Sequence, residues 1–133
     1  MPKRAVLDND HISVWLDEEQ GLVHHQMHRP CYGEVFRSAL MAGVEAMRGA
    51  GATRWLSDDR VNGALSPEDE EWAKQVWFPA TKAAGWEFWA LVQPAQVIGQ
   101  LNMKRFTETY AKQGIVVRAF SNPAEAESWL TSV

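Results

Sequence analysis

Ser57-Asp58-Asp59-Arg60 concentrates more potential chemistry than any other stretch of the chain. Two adjacent carboxylates can orient a cation, accept a proton or hold a ligand donor, and an arginine beside them can clamp an anion through its rigid fork of N–H groups. Six residues further on, Ser66-Pro67-x-Asp69 has the composition of a helix start. Ser is at the cap, Pro at the first position and acids in the first turn. Such a start offers free amides that attract an anion. The candidate ligand-binding residues are therefore Ser57, Asp58, Asp59, Arg60 and Ser66. In this reading Asp58 orients Arg60 or serves as a general base. The structural alternative is that Asp58 pairs with Arg60 to shape the loop, with Asp59 in water.

The remaining reactive residue types form no convincing constellation. His24 and His25 are neighbours, so in a strand they point to opposite faces, and His24 lies roughly 13 Å from His28 along the same strand. With His11 they are better read as polar residues on the open face of a hairpin than as a metal site. Cys31 has no local His or Asp arrangement that would activate a thiol. Gly49-Ala50-Gly51 lacks the Lys-Ser/Thr of a phosphate loop. Ser57 and Ser66 are conceivable phosphoacceptors, but the cap explains Ser66. Met41 and Met47 belong to an apolar helix stripe. No catalytic residue, metal ligand, phosphorylation site or cofactor is assigned.

These residues must be positioned by a fold of alternating elements. Ile12, Val14 and Leu16 alternate with Ser13, Trp15 and Asp17, the period of a strand. Glu18 to Gly21 supplies a turn, and Leu22 to His28 returns. Ala5 to Asp8 is either an extra edge strand or an extended lead-in. Tyr32 to Arg48 carries a helical apolar stripe through Phe36, Leu40, Val44 and Met47, with Gly43 suggesting close approach to a sheet and Gly49 or Gly51 a stop. Thr53 to Leu56 reads as a buried strand. The helix after Ser66 is expected to kink or divide near Phe78, because Pro79 lacks an amide donor. Trp86 to Gln93 is a central strand, a helix falls within Val97 to Gln113 with Asn102 as an inner cap, and Ile115 to Phe120 is the next strand. Asn122-Pro123-x-Glu125 then caps a last helix docked by Ala126, Trp129 and Leu130. The expected class is α/β: a β-hairpin followed by alternating α and β, with a mixed sheet of about five strands flanked by helices.

Composition bounds the function. A chain of 133 residues with 46% hydrophobic and 23% charged residues fits a single globular domain, 1–133. A net charge of −4 and no basic cluster beyond Lys3-Arg4 and Lys104-Arg105 argue against nucleic acid as a partner. One cysteine excludes an intrachain disulfide. The absence of a signal-peptide pattern or a long apolar run leads to the expectation of a cytoplasmic protein without a membrane span. Seven tryptophans are the oddity, most of them expected in the core.

Trp55-Leu56-Ser57-Asp58 with Arg60, Ser66-Pro67-Glu68-Asp69 before Trp72, Trp86 to Val92, and Val117-Arg118-Ala119-Phe120 followed by Ala126 to Leu130 resemble the bacterial STAS-like (SpoIIAA-like) proteins of unassigned activity over roughly residues 10–131. The resemblance implies the anti-sigma-factor-antagonist fold. The sporulation antagonists of that superfamily carry a phosphorylatable Ser in an Asp-Ser-[Ser/Thr]-Gly turn, which is missing here. The expectation is a non-enzymatic regulatory module acting through a protein partner or self-association, as a homodimer using the hairpin edge and exposed tryptophans. The alternatives are a binder of a small molecule or small anion at the 57–66 loop, and an enzyme using Asp58 and Arg60.

Overall fold

A computed structural model describes residues 3–61 and 65–133. Six strands form one mixed sheet in the order β1-β2-β3-β4-β5-β6, which is also their order along the chain. β1 (Arg4–Asp8), β2 (Ile12–Asp17) and β3 (Leu22–Met27) form an antiparallel meander. β4 (Arg54–Asp58), β5 (Phe88–Val92) and β6 (Val116–Phe120) then add in parallel, starting against β3. The α/β class is as expected, with one strand more than the five anticipated. The extra strand is β1. A register irregularity between Ala5 and Leu7 breaks its alternation, so its period was not visible in sequence.

Three connections carry helices to one face of the sheet. α1 (Gly33–Ala50) links β3 to β4, and its Gly51 stop has φ 66°, the left-handed conformation that glycine takes without strain. The β4–β5 connection holds α2 (Pro67–Trp72), a π-helical turn (Ala73–Trp77) and α3 (Phe78–Ala83). The β5–β6 connection holds α4 (Ala95–Gln100) and α5 (Met103–Ala111), two helices where sequence suggested one. Leu101 is extended between them, and Asn102 caps α5 by accepting from the amide of Arg105. Laying successive parallel strands down in one direction with right-handed crossovers puts these helices on one side. α6 (Pro123–Ser132) alone docks on the other, through Ala126 and Leu130 against Leu22, Leu56, Ala90 and Val92.

The division expected near Phe78 is present: a π-helical turn ends at Trp77 and α3 begins at Phe78, one residue before Pro79. The Phe78 amide bonds to the Ala73 carbonyl, five residues back, and Pro79 follows in the first turn of α3, the helix position where proline is best tolerated.

The core is aromatic. Trp55 is fully buried beneath α1, which reaches it through Gly43; a Cβ there would overlap the indole ring. Trp55, Trp77, Trp86 and Trp89 form a chain of tilted and edge-to-face contacts extended by Phe78, Phe106 and Tyr110. Such geometries align ring edges with ring faces and add to simple area burial. None of the seven tryptophans is exposed: Trp15, Trp72 and Trp129 are half-buried and the others buried. The expected exposed tryptophans are therefore absent. The hairpin edge is covered as well, since β1 pairs along β2. No helix among the described residues is long and apolar enough to cross a membrane.

Candidate functional site

Strand alternation sorts the candidate residues on β4. Trp55, Ser57 and Asp59 face the layer of α1 to α5, while Leu56 and Asp58 face the other way. Asp58 is buried at 3% exposure and grips Arg60 in a two-pronged pair, Oδ1 to Nε and Oδ2 to Nη2, both 2.9 Å. That pairing raises the Arg60 pKa above its ordinary value, chiefly through the hydrogen bond from the guanidinium to Asp58. The structural alternative for Asp58 thus matches the geometry, and neither residue lines the large cavity described below. Ser66 Oγ accepts from the Asp69 amide at 3.2 Å, capping α2. Asn62, Gly63 and Ala64 of this loop lie outside the described residues.

Asp69 holds the start of α2 against the start of α1. Its Oδ2 accepts from the Gly33 amide at 3.0 Å and its Oδ1 from Arg37 Nε at 2.9 Å. Burial pushes the Asp69 carboxyl up, but the bonds from Gly33, Arg37 and Ser66 and the charge of Arg37 outweigh it, leaving the pKa below the usual carboxylate value. With Glu68 and Glu70 also in this first turn, the α2 N-terminus already carries three acids and offers an anion little.

Ser57 and Asp59 open into a cavity of about 590 Å³ between the sheet and its helix layer. This is within the range of small-molecule sites. β3 contributes His25, β5 contributes Trp89 and Leu91 with Gln93 just past its end, and α1 contributes Phe36 and Leu40. The α2–α3 segment provides Glu70, Ala73, Lys74, Trp77 and Phe78, and α5 with the residues after it provides Thr109, Tyr110 and Gln113. The π-helical turn therefore forms part of the wall, and such turns often sit at functional sites.

A relay of hydrogen bonds sets the polar floor. Trp55 Nε1–H donates to His25 Nδ1 at 3.0 Å, so the ring proton sits on Nε2, which donates to Asp59 Oδ1 at 2.6 Å. Both imidazole nitrogens are engaged, which leaves His25 no lone pair to activate Ser57. Ser57 Oγ accepts from Trp89 Nε1 at 2.9 Å. The Asp59 amide bonds to the Val92 carbonyl at 3.1 Å, which fixes the backbone past the end of β4. Asp59 lines the cavity with its side chain 19% exposed. Tyr110, on the cavity wall, has its hydroxyl pKa raised by burial and then by the negative charge of Glu70.

No family model, curated protein or solved structure matches this chain.

His25 is the site residue that sequence reading misplaced. Expected on an open face, it is 2% exposed and lies beneath the helix layer. Its phase was legible, since it alternates in step with Val23 and Met27. Its partners were not, since Trp55 and Asp59 come from another strand. His24 faces the other side, stacked near Trp15 with Nδ1 bonded to Lys3 Nζ at 2.8 Å. Burial, then the charges of Lys3 and His25, lower its pKa to about 3. Cys31 is buried and its thiol pKa raised, first by burial and then by Asp69 and Asp59, the opposite of nucleophile activation. Among the described residues no three His, Cys, Asp or Glu side chains converge as metal ligands.

Proposed function

We propose that this chain is a small-molecule-binding protein whose site is the cavity floored by Asp59 and His25. The observation that carries this reading is a carboxylate on the lining of an aromatic cavity of about 590 Å³, held there by a buried relay through His25 and Trp55. Ligand sites combine mostly apolar walls with a few fixed polar groups, and this cavity has that composition. The engaged nitrogens of His25 and the Asp58–Arg60 pair favour binding over catalysis.

The test is a fragment screen by thermal shift and protein-observed NMR, on the native chain and on Ala73→Phe, which fills the cavity from its wall. Native stabilisation lost in Ala73→Phe supports the site. A ligand at 100 times its Kd raises stability by about 2.7 kcal/mol, which a melting curve resolves. Absence of any hit, or hits unaffected by the filling substitution, removes the reading.

Self-association is a second reading, supported by the sheet edges. β1 and β6 end the sheet, and β6 presents Val116 at 50% exposure. An unpaired edge of this kind favours strand pairing between two copies. Light scattering checks it: a mass near the 15.0 kDa of one chain rejects a dimer, and Val116→Lys should dissociate one.

A further inference from the structure

The chemical class of the ligand follows from charge and ring chemistry at the site, and the inference rests on the cavity being a binding site. Three ordinarily charged side chains line the cavity among the described residues: Asp59, Glu70 and Lys74. Lys74 Nζ lies 3.5 Å from Glu70 Oε1, and both side chains are well exposed, at 67% and 59%. They form a solvated pair at the rim that offsets its own charge. Asp59 is different. Its side chain is 19% exposed, and its partner is the imidazole of His25, whose Nδ1 already accepts from Trp55. No Lys or Arg among the described residues reaches it. The floor therefore holds a carboxylate opposed by no fixed cation.

Aromatic rings line the same cavity. Trp89 contacts Trp77 with centroids 6.0 Å apart and Tyr110 at 5.2 Å, and Phe78 joins Tyr110 at 5.8 Å. All four residues line the cavity. Ring faces carry partial negative charge and attract cations, most strongly for tryptophan. An anion entering this space meets Asp59 at the floor and Glu70 at the rim. A neutral donor satisfies the carboxylate oxygen but gains nothing from ring electrostatics or the carboxylate charge. An ammonium satisfies all three.

We infer that the cavity takes an organic ammonium ion, with its charged nitrogen at the Asp59 carboxylate and its apolar body among Trp77, Phe78, Trp89 and Tyr110. This replaces the small anion suggested by the arginine and the helix start in the sequence.

Three probes of matched shape test it: 3-phenylpropylamine, 3-phenyl-1-propanol and 3-phenylpropanoate, titrated at pH 7 by isothermal calorimetry. The amine is expected to bind at least tenfold more tightly than the alcohol, with the carboxylate weakest. In Asp59→Asn, which keeps an oxygen to accept from His25, the preference for amine over alcohol should fall to threefold or less while alcohol affinity stays within threefold of the native value. A second variant, Asp59→Ser, with near-native circular dichroism, should show the same collapse. Alcohol or carboxylate binding as tightly as amine, or a preference unchanged in both variants, overturns the ammonium inference while the cavity remains a binding site. Binding of none of the three removes the inference and counts against the binding reading itself.

Discussion

His25 and Asp59 meet at 2.6 Å although 34 residues separate them in the chain. The parallel pairing of β3 with β4 sets His25 beside Ser57, and one further step along the chain past β4 brings Asp59 within reach. Trp55, two residues before Ser57, closes the relay from the other side. One strand pairing thus assembles the polar floor of the cavity.

The relay makes His25 a stability determinant as well as a site residue. His25→Leu leaves the indole N–H of Trp55 buried without an acceptor, which costs about 1–3 kcal/mol. Urea denaturation should show a lower midpoint at an unchanged slope. A native midpoint in His25→Leu would show that the relay carries no net stability.

Gly43→Ala separates packing from helix propensity. In a helix interior, Ala is favoured over Gly by about 1 kcal/mol. At this position the added methyl meets the ring of Trp55, which is fully buried and has nowhere to retreat. Overpacking of this kind costs about 1–3 kcal/mol. The substitution should therefore destabilise; a gain in thermal midpoint would show that α1 can lift away from the sheet.

Stability should begin to fall well above the carboxylate range. His24 has a folded pKa near 3, against 6.5 for the ordinary side chain, so between these values the unfolded chain binds a proton that the folded one refuses. Stability is then full above about pH 6.5 and declines as pH falls, with a slope approaching 1.4 kcal/mol per pH unit. Urea midpoints between pH 7.5 and 5 should show this slope, and His24→Gln should flatten it.

Asp69 acts in a lower window. Its folded pKa is depressed, so its contribution is present in full above the unfolded value near 3.9 and is lost as pH falls through the folded one. Asp69→Asn should lose about 1–3 kcal/mol at pH 7 by weakening the bonds to Gly33 and Arg37. The gap to the native protein should narrow below about pH 4. A gap constant down to pH 2.5 would assign the effect to packing rather than charge.

The elements were legible where local chemistry specifies them. Ser66, Asn102 and Asn122 each cap a helix with a side-chain oxygen, and each stood out in the sequence. The π-helical turn has no comparable local signal, because surrounding contacts select it over a regular helix. In the site, the acidic pair was visible, but the choice between its members depends on which face of β4 receives α1. Asp58 looked chemically the more useful because Arg60 follows it. Alternation gives Asp59 to the cavity and consigns Asp58 to its own arginine.

The π-helical turn from Ala73 to Trp77 has a consequence for how this chain tolerates insertions and deletions. A five-residue hydrogen-bond step spends one residue more than a four-residue step in joining the same two helical ends. The segment between Trp72 and Phe78 is thus one residue out of frame with an ordinary helix, and a single deletion there can be absorbed without displacing either flank. Such a deletion would restore the regular repeat with both flanking helices keeping their present faces, so that only the bulged residues between Trp72 and Phe78 move. Lys74 and Trp77 lie in that stretch and line the cavity, so one codon lost there rewrites a cavity wall while leaving the sheet and its order intact.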